Sequence, residues 1–353
     1  MRKQSSRCHF LSRTCSDQNP KTNFIAYLFF LVNGSIGRKD ISKICFKLEN
    51  HHHHHHRSHG HHHDNKPPEV LSASLQAFRS DVLSCLNQLL LNSKPGSEIL
   101  SLEWIQHCFE LFPCINRAFA KLVVDIDYPM NKWEAALVDE YLNYSLNLLE
   151  FLNCISSSLS HLGQARLSLS YALSLLENSP SMAVKHLKVI QMKSLNKDLL
   201  KERTNRGDGE EQFCSEEEKV IHQALEEIQC IGFWVSGVVL ASLSGDAKPY
   251  LEIKKYAAKA GIPSLIDLDL CFSRVMVEQN DELKEVRELN MAAASLESAI
   301  VERKSNDAAE ELEKKVNVFE KLIDNLGREV DDLFSKILAS RNGLLDGIGA
   351  QNQ

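Results

Sequence analysis

No segment of this 353-residue chain runs for the roughly twenty apolar residues that a helix needs to cross a bilayer. Its two most apolar runs, Phe24–Val32 and Cys230–Leu243, stop well short of that length. The first fits a signal peptide only in outline, because Asn33-Gly34-Ser35-Ile36-Gly37 behind it is a poor cleavage site. Its basic, serine-containing surroundings fit an organellar transit peptide as well, and a poorly ordered extension is the plain alternative. The second run reads as a buried core helix in which Gly232 and Gly237 permit close contact. The body also lacks a glycine-rich phosphate loop, metal-ligand spacing and any nucleophile constellation. Those absences argue against an enzyme without excluding one, since catalytic groups converge in space. Clustered cations are missing too: residues 1–66 carry 11 Lys or Arg against 4 Asp or Glu, net +7, which leaves −14 on the rest of a chain of net charge −7. An acidic body argues against nucleic acid as the main partner, because phosphate binding needs grouped positive charge. The ten cysteines are too scattered for a disulfide framework. Cys108 and Cys114 lack the paired spacing of a zinc site, and the thiols are expected to pack as small hydrophobes in a reducing compartment.

What is present is helical periodicity. From Glu134 to Glu177 there is no proline and one glycine, Gly163, while Trp133, Leu137, Tyr141, Leu148, Leu152, Ile155, Leu159, Leu162, Leu169 and Leu173 recur at spacings that keep them on one helical face. Before this stretch, Leu71, Leu75, Phe78, Val82, Leu86 and Leu89 predict a helix from about Glu69 to Leu91, stopped by Asn92-Ser93-Lys94-Pro95-Gly96. Ser97 or Ser101 then caps a second helix bearing Trp104, Phe109, Phe112 and Phe119, with a kink expected at Pro113. Asp125 and Asp127 are read as solvated loop carboxylates near a helix end, and Asp139 and Glu140 as facing water or a neighbouring cation. A fourth helix is expected from Ser181 through Leu187, Ile190 and Leu195 toward Leu200, with Lys185, Lys188 and Lys193 on its polar faces. Thr204–Glu211 reads as a linker, and Ser215 with Glu218 as a capping box opening the fifth helix. Gly261-Ile262-Pro263 breaks the pattern before another short helix that reaches Val277.

The C-terminal region carries heptads. Val286, Leu289, Ala293, Leu296 and Ile300 step 3-4-3-4, and Leu312, Val316, Phe319, Ile323, Leu326, Val330, Leu333 and Ile337 continue in kind after a polar break at Ser305-Asn306-Asp307. An antiparallel helical hairpin with Asn306 near the second cap is the simplest reading. An intermolecular coiled coil through 282–338 is the alternative. Arg341-Asn342-Gly343 is expected to end the pattern. Near the other end, His51–His56 and His61–His63 form a tract that reads as a metal-binding tail or a low-complexity linker, the linker being preferred.

Leu100-Ser101-Leu102-Glu103-Trp104, the Pro129–Trp133 turn and the run Val138-Asp139-Glu140-Tyr141-Leu142-Asn143-Tyr144-Ser145-Leu146-Asn147-Leu148-Leu149 resemble the plant BYPASS-related family. Asn153, Ser156-Ser157, Gln164 and Ala172-Leu173 extend the similarity in fixed register. The resemblance implies a plant-specific regulator of root and shoot development that restrains a root-derived mobile signal, with relatives linked to exocytic tethering. It supplies no catalytic residues. The expectation is therefore an all-α, elongated helical bundle: a basic extension (1–66), an N-terminal bundle (67–203), a linker (204–214), a C-terminal helical region (215–340) and a tail (341–353). Catalytic, cofactor-binding and metal-ligating residues are expected to be none, and cofactors none. Protein partners are expected, exocyst components among them, with homodimerisation through 282–338 and peripheral membrane association left open. A cytoplasmic location is expected, with the chloroplast or a membrane surface as alternatives.

Overall fold

The computed structural model describes residues 67–93, 99–192, 215–278 and 282–351. The readings of the 1–66 extension, the histidine tract, Leu195–Arg203 and the Thr204–Glu211 linker lie outside these residues. Among the described residues the regular elements are helices, with no strand. The chain is all-α.

Helix α1 (Pro68–Leu91) opens with proline at its first position, where the missing amide costs no intrahelical bond. Helix α2 (Leu102–Asp125) is capped by Ser101, whose hydroxyl accepts from the Trp104 N–H at 3.1 Å. Pro113 lies inside α2, and the helix continues past it. These two helices pack on each other, and Cys85 of α1 is joined to Cys114 of α2 by a disulfide, with Cα atoms 6.3 Å apart. The expectation of unpaired thiols is corrected here. Twenty-nine residues separate the pair in sequence, so no short-range spacing announces it, and only the packing of α1 on α2 brings the sulfurs together.

After a 3₁₀ turn at Met130–Lys132 comes α3 (Ala135–Leu175), the long helix anticipated from periodicity. Helix α4 (Pro180–His186) is much shorter than expected. Leu187 leaves helical geometry (φ −78°, ψ 51°), and Leu187–Met192 runs without helix. A tertiary contact replaces the helical bonds: the Ile190 N–H donates to Asn290 Oδ1 at 2.7 Å, and Asn290 Nδ2 donates to the Ile190 carbonyl at 3.3 Å. Leu187 and Ile190 are buried in this course. Satisfied backbone groups and buried side chains outweigh local helix propensity.

Helix α5 (Glu216–Ser244), whose second half from Cys230 is apolar on nearly every side, lies against α1, α2, α3 and the following α6 (Lys248–Ala260). By length and composition it could cross a membrane, yet most of it is buried inside the protein, as an all-round apolar helix in a large core must be. Its end at Gly245 (φ 60°) and that of α6 at Gly261 (φ 63°) adopt the left-handed conformation that glycine takes without penalty. Helix α7 (Pro263–Glu278) follows. Tyr250 donates to Asp269 Oδ1 at 2.8 Å, and Trp234 Nε1 donates to the same oxygen at 2.9 Å, so one buried carboxylate ties α5, α6 and α7 together. Tyr250→Phe is expected to cost about 1–2 kcal/mol in urea unfolding, because one of two bonds to a charged acceptor is lost. A change under a few tenths of that would show the bond to be idle.

Helix α8 (Lys284–Glu302) and α9 (Asn306–Gln351) form the C-terminal pair, and α9 begins at the anticipated Asn306. Two points differ from the sequence reading. Helix α9 continues beyond Gly343 to Gln351, so the tail expected from Arg341 is helical. Its principal partner is α3 rather than α8. Leu312, Val316, Phe319, Ile323, Leu326, Val330, Leu333 and Ile337 are all buried within the single chain, and a dimer through this seam would have to displace α3.

One apolar cluster runs from Leu71 to Ile337, so the 204–214 segment does not divide two separate cores. Trp104 of α2 stacks on Phe272 of α7 at 5.8 Å. Both Glu285 oxygens lie 3.1 Å from the Leu102 N–H, capping α2 from α8, and the Leu100 carbonyl accepts from the Lys284 N–H at 2.9 Å. Burial raises the Glu285 pKa, opposed by its amide bonds. Because the folded value lies above the unfolded one, the stability linked to this proton is fully present below the ordinary Glu pKa of about 4.3 and is lost as pH rises through the raised value. Glu285→Gln should therefore flatten the pH dependence of stability from that point upward. An unchanged profile would refute the assignment.

Candidate functional site

The segment carrying the family-like residues is held on two sides. At its start, Tyr128 donates from its hydroxyl to the Lys132 carbonyl at 2.9 Å, and Trp133 Nε1 donates to the Tyr128 carbonyl at 3.0 Å, which closes the Pro129–Trp133 turn. Trp133 then meets Phe119 and Tyr141 edge-on, with ring centroids 6.2 Å away in each case. The turn is a packing device for the entry into α3. Ser215 accepts from the Glu218 N–H at 3.1 Å, the first half of the expected capping box. The Glu218 carboxylate reaches across to the Glu134 N–H at 3.2 Å, capping α3 from α5.

One turn into α3, Glu140 is 4 % exposed, and its carboxylate lies between two side chains of α5. His222 Nε2 approaches Oε2 at 3.4 Å and Gln229 Nε2 donates to Oε1 at 3.0 Å. Further along, Tyr144 donates to the Ile228 carbonyl at 3.3 Å, and its ring lies against Gly232, where an added Cβ would stand 2.6 Å from the Tyr144 oxygen. Burial pushes the Tyr144 hydroxyl far above its ordinary value, so it acts only as a neutral donor. On the side of α3 facing α9, Arg341 donates to the Leu142 carbonyl and, at 2.9 Å, to Ser145 Oγ, while Arg166 pairs with Glu320. The family-like stretch is thus gripped by α5 through Glu140, Tyr144 and the α3 cap, and by α9 through two arginine contacts.

Asp127 is exposed, with φ 49°, and its carbonyl accepts from Lys132 Nζ. Asp125 is the last residue of α2, so the pair marks a helix C-terminus rather than the start of the next helix. Asp139 faces water, whereas Glu140 turned inward toward His222. The sequence reading has Glu140 facing water or a neighbouring cation and does not mark it as buried, although a signal exists: it lies three residues after Leu137 and four before Tyr144, on the inward stripe. Asp269 carried the same mark, four after Leu265 and three before Phe272. Among the described residues no group of three or more His, Cys, Asp or Glu is arranged to hold a metal ion. Chemically, the Glu140–His222–Gln229 arrangement joins two helices through polar contacts to one buried carboxyl group.

A sequence profile of the family described as Protein BPS1 matches residues 128–346, from the aromatic turn to near the end of α9. The chain is 25% identical over 292 residues to Protein BPS1, chloroplastic, of Arabidopsis thaliana, covering 78% of this chain and 83% of that one. It is also 27% identical over 210 residues to UPF0496 protein 4 of Oryza sativa subsp. japonica, covering 52% of this chain and 44% of the rice protein, and 28% identical to the counterpart in subsp. indica. The matches span less than half the length of those rice proteins. No solved structure matches. With the profile covering most of the helical body and the Arabidopsis match extending beyond it, this chain belongs to the BPS1 family, the BYPASS-related proteins of plants.

Proposed function

We propose that this protein is a non-catalytic helical interaction protein that regulates plant root and shoot development, restraining production of a root-derived mobile signal. The observation that carries the reading is the family match over 128–346, which takes in α3, α5 and α9 together with the contacts that lock them. The use of the polar core groups supports action by contact: Glu140, Asp269, Glu285 and Arg341 each join two or more helices. Protein partners, exocytic tethering components among them, would bind the outward faces of this body.

Root-limited expression in an Arabidopsis line lacking the matching relative tests the reading. Restored shoot growth is the expected result, and persistent arrest with the protein present and folded would overturn it. The non-catalytic part is tested by Glu140→Gln and His222→Gln. Variants that keep their fold should still rescue. Loss of rescue in a folded variant would point to chemistry at that pair instead.

A further inference from the structure

Helix α1 lies ahead of the family-matched residues, yet it covers part of the core: Phe78, Val82, Leu86 and Leu89 are buried, and the helix packs on α2, α5 and α7. Its polar ties are few and exposed or partly so. Arg79 pairs with Glu227 at 2.6 Å, Lys121 with Asp81 at 2.8 Å, and Ser264 Oγ donates to Asn87 Oδ1 at 2.6 Å. The covalent tie is Cys85–Cys114. Cys85 is buried at 7 % exposure, while Cys114 is only partly buried, so Cys114 is the more exposed end of the bond.

Three of the other described cysteines, Cys108, Cys154 and Cys230, are unsuited to that chemistry. Cys108 is fully enclosed and its thiol is pushed well up by burial; Cys154 is raised by the same cause, and Cys230 is pushed up to about 11. A thiol held protonated is a poor nucleophile, so disulfide exchange with these groups is slow. Cys271 is partly buried and unpaired.

We propose that Cys85–Cys114 is a reversible thiol–disulfide site that fastens α1 over α2 and α5, and that a dithiol reductant opens it. One thiolate of the reductant attacks Cys114 Sγ. The Cys85–Cys114 bond breaks, a mixed disulfide forms at Cys114, and the departing Cys85 thiolate takes a proton. The second reductant thiol then attacks the reductant's own sulfur in the mixed disulfide, releasing Cys114 as a thiol and leaving the reductant as a cyclic disulfide. Two electrons and two protons have passed to the protein. A low-molecular-weight disulfide reverses the change. Reduction leaves the apolar contacts of α1 in place, so the helix loosens without the rest of the bundle unfolding.

The test uses the full chain, first exposed to oxidised glutathione and then alkylated under denaturing conditions with and without dithiothreitol treatment. Cys85 and Cys114 should escape alkylation before reduction, appear as one linked peptide, and both label afterwards. Native-state hydrogen exchange should show α1 amides at least ten-fold faster after reduction, and accelerated more than those of α3 and α9. The melting temperature should fall by roughly 5–10 °C, as expected for opening a loop of about thirty residues. C85S and C114S should match the reduced wild type and ignore the reductant, whereas C271S should retain the response. Alkylation of both cysteines after oxidation, or α1 exchange unchanged by reduction of a confirmed bond, would overturn the proposal. The double variant C85A/C114A separates loss of the bond from loss of packing: if it unfolds outright, α1 is not held independently of the bond and the local-loosening claim fails.

Discussion

Gly237→Val is expected to lower the unfolding free energy by about 3 kcal/mol or more, the upper part of the range for overpacking a tight core. A Cβ built at Gly237 would stand 1.9 Å from Ile253 Cγ1 and 2.7 Å from its Cδ1. Ile253 is 1 % exposed on α6, and its β-branch leaves it little rotamer freedom. Either the rotamer breaks or α6 moves away from α5, and the α5–α6 pairing is among the closest in the fold. Gly237→Ala carries the same clash without the two further methyl groups and should cost about 1–3 kcal/mol. Gly163 is the matched control. It lies in α3 with nothing within 4 Å of the would-be Cβ, so Gly163→Ala should be neutral or stabilise by about 0.5–1 kcal/mol through helix propensity. Urea midpoints for the three variants decide the matter, and a wild-type midpoint for Gly237→Val would show that the helices do not approach this closely.

Leu326→Asp should abolish cooperative folding. Leu326 is 1 % exposed in the seam of α9. The substitution removes a buried side chain, leaves a cavity, and places a carboxylate among apolar groups. Together these amount to roughly 5 kcal/mol or more, comparable with the whole stability of an ordinary domain. Val318, on the same helix but 52 % exposed, is the control, and Val318→Asp should lie within about 0.5 kcal/mol of wild type. Far-ultraviolet circular dichroism and thermal unfolding read both. A folded Leu326→Asp protein would mean that α9 does not need its place on α3, and the intermolecular seam would regain standing. The comparison also bears on partner binding. A binding defect caused by charge at Leu326 or Leu333 reports a lost fold, so a partner surface has to be mapped with exposed positions such as Leu167 and Tyr171.

Much of the candidate site was visible before the fold was known, and the remainder was hidden for identifiable reasons. The Pro129–Trp133 turn and the inward stripe of α3 were legible because neighbours on a helix face are three and four apart in sequence. Glu140 was not recognised as buried, since its compensating partners, His222 and Gln229, lie more than eighty residues away. The fourth helix was overextended for a related reason: Lys185, Lys188 and Lys193 follow helical spacing, and nothing local reveals that Asn290 captures the Ile190 backbone.

By itself the sequence determined that this protein is helical, that a helix begins at Asn306 and another at Ser97 or Ser101, which faces turn inward, and to which family the body belongs. Each of these depends on interactions between residues a few positions apart, or on an ordered run of identities. Only the tertiary structure decided that the C-terminal seam is filled by α3, that one core spans both sides of the 204–214 segment, and that Cys85 meets Cys114. Those outcomes rest on which stripe packs on which, and apolar burial is non-directional: a Leu seam accepts a neighbouring helix of its own chain or of another equally well. Shape and covalent connectivity settle the pairing, and both exist only once the helices are assembled.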